Sequence, residues 1–495
     1  MLRSPLLIAL VAGLVSATGF APLGLWPLLL ISLAVLAHLV FRAGSMKAAL
    51  GLGWAFGVGH FTTGLNWIAH AFTFQDAMPH WFGYGAVILL SLYLAIYPAM
   101  AAGLAWRWGR SSPTTFSLIF GAAWIVTEWL RATMFTGFAW NPLGVVWVDI
   151  PAAAKLAALV GTYGLSGLTA LLAAALAAPR VRGNIAILIA LPLLALGAFF
   201  APTSRPTHDG GARIRVVQPN IGQQDKHVAT LDRLNNAKLA ALSGHPGARP
   251  RLIFWPEAAV PEFLEEERWV RERLAKLLGP KDLLLTGGLA LIAGNDGKVI
   301  GARNSLFVLD SEAQLLGRYD KAHLVPYGEY LPMRPLLSAI GFSRLVPGDI
   351  DFWSGPGPQT LNLDGFGAMG VQICYEIIFS GQVVDRANRP DFLFNPSNDA
   401  WFGAWGPPQH LAQARLRAVE EAMPVIRSTP TGISAVIDAE GRLLASLPHM
   451  TAGALETAMP PPHNPTPFAR LGQILPFALA MILAGLGVAL GRRRR

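Results

Sequence analysis

The sequence predicts an α/β domain joined to a set of membrane-spanning helices. Hydrophobic residues make up 53% of the 495 residues and charged residues only 14%, which is more apolar surface than a soluble chain of this length needs. Residues 1–201 are nearly free of Asp and Glu, whereas residues 205–465 have an ordinary mixed composition. We therefore expect a transmembrane domain over 1–204, a water-exposed domain over 205–465, and a last membrane helix with a basic tail over 466–495.

Eight apolar stretches predict the membrane helices. They lie at about 5–20, 24–41, 47–72, 82–106, 115–133, 155–178, 183–201 and 471–491. Each is long enough, or nearly so, to cross ~30 Å of hydrocarbon. The first two are short and are joined by Ala21-Pro22-Leu23, so they form a tight hairpin or lie partly in the membrane interface.

Basic residues predict how these helices are oriented. Those on alternate loops are Arg3, Arg42, Lys47, Arg107, Arg110, Arg180, Arg182 and Arg492 to Arg495, and the opposite loops carry only Arg131 and Lys155. Because Lys and Arg are retained in the cytoplasm, both termini are expected inside and the 205–465 domain outside. The alternative is a cleaved signal peptide ending near Ser16-Ala17-Thr18, which would break the alternation of basic loops.

The formal charge of +9 does not indicate a nucleic-acid partner. Four of these charges are the terminal Arg492 to Arg495, and the others are scattered without a basic stripe that alternates with aromatic residues. Composition therefore argues against nucleic-acid binding.

Short apolar runs bounded by turns predict the strands of the 205–465 domain. They are 214–217, 252–255, 283–286, 305–308, 370–373, 392–394 and 434–437, and helical stretches at 228–242, 263–278 and 408–422 alternate with several of them. Such alternation predicts a central sheet with helices on both faces, an α/β sandwich. The chain has no phosphate-binding loop, no His-Glu-x-x-His and no Gly-x-Ser-x-Gly segment, so nucleotide, zinc-protease and serine-hydrolase chemistry are not indicated.

Cys374 is the only cysteine and ends the apolar strand run of residues 370–373. A lone thiol on the outside of the membrane forms no internal disulfide, so it is either an inert buried side chain or a nucleophile.

Glu257 and Lys321 are the other candidates for chemistry. Glu257 directly follows the predicted strand 252–255, and Lys321 lies in Tyr319-Asp320-Lys321. Considered alone, Glu257 is expected to be a solvated turn residue and Lys321 a surface charge. Taken with Cys374, they supply a carboxylate, an ammonium and a thiol, which is a set suited to acyl transfer.

The segments around these residues resemble the nitrilase superfamily and, within it, the apolipoprotein N-acyltransferases. The matching segments are Trp255-Pro256-Glu257, Tyr319-Asp320-Lys321, Leu324 to Glu329, Ile373-Cys374-Tyr375-Glu376, Asn398 to Gly403 and Arg427-Ser428-Thr429, with Thr127 to Arg131 and Thr136-Gly137-Phe138 in the helical part. The resemblance implies an eight-helix transmembrane domain carrying an extracytoplasmic α-β-β-α sandwich. It also implies a Glu257, Lys321 and Cys374 triad, with Glu329 orienting Lys321 and with Tyr375 and Glu376 flanking the substrate.

The implied activity is acyl transfer, without a cofactor, in the bacterial inner membrane with the catalytic domain on the periplasmic side. The acyl donor would be a phospholipid such as phosphatidylethanolamine, Cys374 would carry the acyl chain as a thioester, and the acceptor would be the α-amine of a diacylglyceryl-cysteine on an apolipoprotein. A membrane-anchored amidase of the nitrilase type and a transporter with an external binding domain are the alternatives.

Two segments bear on lipid contact rather than on the triad. The family often has Trp where this chain has His227, and Gly406-Pro407-Pro408-Gln409 has a proline where an aromatic residue is common. Residues 332–348 contain an apolar stretch from Pro335 to Phe342. This stretch is a candidate mobile lid or lipid-dipping arm, or else a helix that faces the core.

Overall fold

The computed structural model describes residues 4–74, 79–201, 211–226, 228–339 and 352–493. Its first part is helical. The helices are α1 (Pro5–Ser16), α2 (Trp26–Arg42), α3 (Met46–Gly64), α4 (Ile68–Ala71), α5 (Phe82–Leu94), α6 (Ile96–Gly109), α7 (Pro113–Thr133), α8 (Pro151–Ala154), α9 (Ala157–Leu176) and α10 (Arg182–Phe200).

Helices occupy all seven predicted spans before residue 205. By length and hydropathy, four segments of the described chain qualify as membrane spans: Phe82–Gly109, Ala157–Leu176, Arg182–Phe200 and Ile474–Arg492. Helices α1 and α2 are apolar but shorter. The chain therefore has several apolar helices of membrane-spanning character, and the count of eight stays a prediction.

The described residues of the following part form twelve strands and four helices. The strands are β1 (Arg213–Gln218), β2 (Arg251–Phe254), β3 (Leu283–Ala293), β4 (Val299–Asp310), β5 (Leu315–Asp320), β6 (Thr360–Leu363), β7 (Gly367–Val371), β8 (Phe392–Pro396), β9 (Val425–Ser428), β10 (Ala435–Ile437), β11 (Leu443–Ser446) and β12 (Gly453–Ala458). The helices are α11 (Ala229–Ser243), α12 (Arg268–Ala275), α13 (Arg334–Ala339) and α14 (Gly406–Glu421), and the chain continues with α15 (Pro467–Leu471) and α16 (Ile474–Arg492).

The strands form two six-stranded sheets. The order is β12-β1-β2-β3-β4-β5 in the first sheet and β11-β10-β9-β8-β7-β6 in the second. The sheets pack face to face, since the rings of Phe254 and Phe394 lie 4.7 Å apart and Ser428 Oγ donates to the Val217 carbonyl at 2.8 Å.

Strand β2 shows how the sequence builds the layers. Leu252 and Phe254 pack into the core between the two sheets, whereas Ile253 and Trp255 pack on the other face with side chains of α11 and α12. This alternation is the two-residue period of a strand that is covered on both faces. Together with α14, which packs on the second sheet, the layers are helix, sheet, sheet and helix.

The seven predicted strands are all present, but the single central sheet that the apolar pattern predicted is wrong. The structure has two sheets, as the nitrilase resemblance implied. Strands such as β9 carry Arg427 and Ser428 in their interior, so they do not read as apolar runs. The predicted helix at 263–278 is shorter and covers only Arg268–Ala275.

The helical part is docked on the sandwich through α14. Helix α9 breaks at Gly161, which has a φ of +67°, and a Cβ there would collide with the ring of Phe468. The amide of Thr162, just after the break, donates to Glu420 Oε1 at 2.5 Å. Trp140 Nε1 donates to Gln409 Oε1 at 2.7 Å. One edge of the sandwich is therefore held against the helices.

Candidate active site

Cys374, Glu257 and Lys321 each follow the end of a strand. Cys374 comes three residues after β7, Glu257 comes three residues after β2, and Lys321 directly follows β5. Strand β5 points the same way as β2, because β3 is parallel to β2 and two antiparallel pairings separate β3 from β5. The carboxyl ends of β2 and β5 therefore lie at one edge of the first sheet.

The nucleophile candidate sits at a strained turn. Cys374 is buried and has a φ of +52°, a conformation that a residue with a side chain adopts only when its surroundings enforce it. A short 3₁₀ turn, Cys374–Ile378, begins at this residue.

The thiol lies in the fields of the other two residues. Burial raises the pKa of Cys374 well above its ordinary value and the Glu257 carboxylate adds to this effect, whereas Lys321 and the main-chain N–H of Asn398 oppose it. The resting side chain is therefore a protonated thiol at neutral pH.

Lys321 is buried between two carboxylates. Its Nζ lies 3.0 Å from Glu329 Oε1 and 3.5 Å from Glu257 Oε1. Burial by itself would lower the pKa of Lys321, but Glu329 and Glu257 outweigh it and raise that pKa. The side chain is thus an ammonium at neutral pH. Glu329 contacts Lys321 as the resemblance implied, and Glu329 Oε2 is held by the Val325 amide at 2.8 Å.

Glu257 is anchored through one oxygen only. Oε1 accepts a hydrogen bond from Asn304 Nδ2 at 2.7 Å, whereas the buried Oε2 has no partner in the described structure. The main-chain carbonyl of Glu257 accepts from Lys226 Nζ at 2.8 Å. Burial lowers the pKa of Lys226 to about 8, although Glu257 and Cys374 oppose the shift. A role in the site was not predicted from the sequence for Lys226 or Asn304.

Glu376 is held by main-chain and side-chain donors, and its predicted place beside the substrate stays a prediction. Its buried carboxylate accepts hydrogen bonds from the amides of Ile373 (2.7 Å), Ala322 (2.8 Å) and His323 (3.0 Å) and from the Tyr319 hydroxyl (3.0 Å). Burial raises the pKa of Glu376 to about 7, although the amide donors oppose the rise. Glu376 therefore ties the turn of Cys374 to the loop of Lys321.

Tyr375 faces the helical part of the chain. Its hydroxyl donates to the Gly137 carbonyl at 3.3 Å, and its ring lies 6.4 Å from that of Phe138. Arg131 holds this segment in place by donating to the carbonyls of Phe138 at 2.9 Å and Trp140 at 2.8 Å. Whether Tyr375 also touches substrate stays a prediction.

A second polar group, which we call the anchoring cluster, holds the backbone of Cys374. It consists of Asn395, Asp399, His410 and Arg427. Asn395 Nδ2 lies 3.3 Å and His410 Nε2 lies 3.1 Å from the Cys374 carbonyl oxygen. Since a carbonyl only accepts, Nε2 carries the ring hydrogen. Arg427 Nη2 donates to Asp399 Oδ2 at 2.6 Å and lies 2.9 Å from His410 Nδ1.

The anchoring cluster keeps fixed charges. Burial would raise the pKa of Asp399, but Arg427 and His410 lower it to about 2. Burial and the Arg427 guanidinium lower the pKa of His410, so its ring is neutral at neutral pH. Asp399 and Arg427 lay in segments that the resemblance identified, whereas Asn395 and His410 were missed. Asn395 lies inside a buried strand and His410 on a helix, and neither position shows from the sequence which residues it contacts.

Two openings lie near the candidate residues, one beside Lys321 and one beside Glu257. A pocket of about 370 Å³ lies beside Lys321 and is lined by Thr136, Ala322, His323, Leu324, Tyr330, Phe352 and Ser354. His323 Nε2 lies 3.0 Å from the Thr136 carbonyl oxygen at this pocket, so the helical part forms one of its walls. The other opening is narrower and reaches Glu257 past Lys226, Asp232 and Asn235.

The two segments linked to lipid contact lie partly outside the described residues. His227 is outside them, as are residues 340–348 of the candidate arm. In the described part of that arm, Leu336 is 61% exposed, which does not fit a helix that faces the core. Within the described residues, no group of three or more His, Cys, Asp or Glu side chains is placed to hold a metal ion.

A thiol, a carboxylate and an ammonium on a two-sheet sandwich define a protein of the carbon–nitrogen hydrolase class. Residues 213–462 match the family model for carbon-nitrogen hydrolases. Residues 12–175 match the model for the apolipoprotein N-acyltransferase N-terminal domain. The chain belongs to the apolipoprotein N-acyltransferase family.

Curated relatives agree over nearly the whole length. The apolipoprotein N-acyltransferase of Rhodopseudomonas palustris is 35% identical, with 98% of this chain and 95% of the relative covered. That of Bradyrhizobium diazoefficiens is 36% identical, with 99% and 95% covered. Among solved structures, Saccharomyces cerevisiae Nit3 of the nitrilase superfamily matches 52% of this chain and 93% of its own, at 18% identity and a TM-score of 0.36. That score is too low to support a structural conclusion.

Proposed function

We propose that this chain N-acylates lipoproteins by moving an acyl chain from a membrane phospholipid, such as phosphatidylethanolamine, to the α-amine of an N-terminal diacylglyceryl-cysteine. Cys374 carries the acyl chain between the two as a thioester. The observation that carries the proposal is that Lys321 Nζ lies 3.5 Å from Glu257 Oε1 and that the buried Cys374 lies in the fields of both. The residue after Lys321, Ala322, lines a pocket whose wall includes Thr136 of the helical part. No cofactor is required, because the lipid ester itself supplies the acyl group.

The first half of the cycle acylates the thiol. Glu257 takes the thiol proton through its unpartnered Oε2 while the sulfur attacks the ester carbonyl. Negative charge develops on the carbonyl oxygen, and the Lys321 ammonium stabilises it. As the C–O ester bond breaks, Glu257 returns the proton to the leaving oxygen. The lysophospholipid departs and the thioester remains on Cys374.

The second half moves the acyl chain to nitrogen. The neutral α-amine of the lipoprotein attacks the thioester carbonyl, and Lys321 again stabilises the oxyanion. Glu257 removes a proton from the attacking nitrogen and delivers it to the departing sulfur. The C–S bond breaks, an amide forms and the thiol is restored. Because an amide is more stable than a thioester, this step runs toward product.

The Cys374 thiol loses its proton in the same step in which its sulfur attacks the ester carbonyl. Moving a proton from an ordinary cysteine to an ordinary glutamate costs about 6 kcal/mol, and the raised pKa of the buried thiol adds to that cost. The Lys321 ammonium, whose own pKa is raised, opposes the cost by favouring the thiolate and the oxyanion. A free thiolate therefore does not accumulate before the substrate arrives.

The proposal places the enzyme in the bacterial inner membrane. Residues 1–204 would form seven spans and residues 466–495 the eighth, with the basic loops in the cytoplasm and the catalytic domain of residues 205–465 in the periplasm. Helix α10, most of whose side chains are exposed, would face lipid. Both substrates are anchored in the same bilayer, so the site meets them at high effective concentration.

Intact-mass spectrometry tests the thioester directly. The full chain in detergent is incubated with phosphatidylethanolamine and then with a diacylglyceryl lipopeptide. The expected result is one added acyl mass after the first incubation, its loss after the second, and a matching N-acyl lipopeptide. The Cys374→Ala variant serves as the matched control and should give neither product, because the chain has no other cysteine.

Each alternative activity predicts a different product. Free fatty acid without N-acyl lipopeptide would favour a nitrilase-type hydrolase that uses water as acceptor. N-acyl lipopeptide formed at an undiminished rate by Cys374→Ala would overturn the thioester mechanism.

A further inference from the structure

Asn304 connects the two carboxylates around Lys321. It lies on β4 and is 5% exposed. Its side-chain Nδ2 donates to Glu257 Oε1 at 2.7 Å and to Glu329 Oε1 at 3.0 Å. Its main-chain carbonyl accepts from the Lys321 amide at 2.9 Å. One residue thus contacts all three of these charged residues.

The number of N–H donors determines how the side-chain amide of Asn304 is oriented. A side-chain amide has two N–H donors, and both point at carboxylate oxygens that only accept. A reversed amide would set its oxygen against those two carboxylates, so Nδ2 must face them. The contact to Glu257 at 2.7 Å is also much shorter than the 3.5 Å between Lys321 and the same oxygen. Asn304 is therefore the main restraint on the Glu257 side chain.

This restraint decides which oxygen of Glu257 is available. With Oε1 held by Asn304, Oε2 is buried and has no partner in the described structure. An oxygen in that state is the one able to receive a proton from the thiol. The Asn304 amide supplies this hydrogen bond without adding a positive charge. A second ammonium in the same place would instead compete with Lys321.

We propose that Asn304 is a positioning residue that holds Glu257 turned so that Oε2 receives the proton in each half of the cycle. This inference rests on the proposed function. An aspartate at the same position would fit the space but would place a third carboxylate beside a single ammonium. An alanine would leave Glu257 free to rotate and without its strongest donor.

The test measures acylation of Cys374 in a single turnover from pH 5 to pH 9, using phosphatidylethanolamine and intact-mass detection. Asn304→Ala and Asn304→Asp are compared with the wild type and with Asn362→Ala, which alters an exposed asparagine on β6. We expect Asn304→Ala to slow acylation by roughly 10- to 100-fold. Asn362→Ala should match the wild type. Asn304→Asp should be slower than the wild type at every pH.

A second background separates positioning from a structural role. In Glu257→Gln, the further change Asn304→Ala should slow acylation by less than about 3-fold, because the base that Asn304 positions is already lost. An equal loss in both backgrounds would overturn the inference. So would a wild-type rate in Asn304→Ala. A wild-type chain that forms no acyl adduct would instead refute the proposed function itself.

Discussion

The two polar groups on either side of Cys374 differ in what they leave open. The reactive cluster, which consists of Glu257, Asn304, Lys321 and Glu329, comes from the first sheet and the segment after β5, and the anchoring cluster comes from the second sheet and α14. In the reactive cluster, Glu257 Oε2 and Asn304 Oδ1 have no partner in the described structure. In the anchoring cluster, both oxygens of Asp399 bind Arg427, and the buried atom without a partner in the described structure is a donor, Arg427 Nε. The reactive cluster therefore leaves acceptor oxygens open, whereas the anchoring cluster does not leave open either oxygen of its carboxylate.

This division suits a nucleophile that must keep its place while its bonds change. The carbonyl of Cys374 is held by His410 and Asn395, so the strained turn persists whether the sulfur is free or acylated. In the proposed cycle, the groups that exchange protons and charge belong to a different sheet. Substitutions should therefore separate into those that stop the reaction and those that loosen the fold.

The largest effect is expected for Glu257→Gln. The change removes the proton acceptor but leaves Lys321 paired with Glu329 at 3.0 Å, so the fold is retained. Acylation should slow by roughly 10³- to 10⁴-fold, the upper range for loss of a general base. Single-turnover acylation measures the rate, and thermal unfolding of the same sample measures the fold. A large fall in melting temperature would place Glu257 with the anchoring groups instead.

The sequence predicted the reactive cluster better than the anchoring cluster. Glu257 and Cys374 stand at the ends of apolar strand runs, where sites in α/β sheets collect, and the resemblance identified Lys321. Asn304 and Asn395 lie within strands, and their roles depend on partners 47 and 21 residues away. Nothing local in the sequence marks such contacts.

The lack of a local signal in the sequence also explains why the second sheet was not predicted from the apolar pattern. Strand β9 of the second sheet contains Arg427, whose burial follows from its ion pair with Asp399 rather than from an apolar pattern. Hydrophobic periodicity therefore recovers the strands that apolar side chains bury. The strands with charged interiors needed either the resemblance or the structure.

A smaller effect, on stability rather than on chemistry, is expected for Asp399→Asn. Arg427 would be left buried without its counter-charge, which costs about 3 kcal/mol and should lower the melting temperature by roughly 5–10 °C.

The contribution of Asp399 to stability also depends on pH. Because the pKa of Asp399 is depressed to about 2, its stabilising effect is present above the ordinary aspartate pKa near 4 and is lost as pH falls toward 2. The gap between variant and wild type should therefore narrow between pH 4 and pH 2. A gap that stays constant over that interval would contradict the assigned ion pair.

The smallest effect is expected for Asp149→Asn, which alters a carboxylate–arginine pair of the same chemistry at an exposed site. Asp149 is 74% exposed and lies 2.5 Å from Arg415 Nη1. Arg415 also donates to the carbonyls of Gly441 at 2.9 Å and Val148 at 3.2 Å, so it is not stranded when the charge is removed. Exposed pairs contribute about 0–1 kcal/mol and are screened by salt. The melting temperature should move by no more than about 3 °C, the acylation rate should stay within about 2-fold, and 0.5 M salt should abolish any difference. A fall in melting temperature as large as that of Asp399→Asn would contradict this prediction. It would mean that the loss of stability depends on the contact between the helices and α14 rather than on burial of the charge.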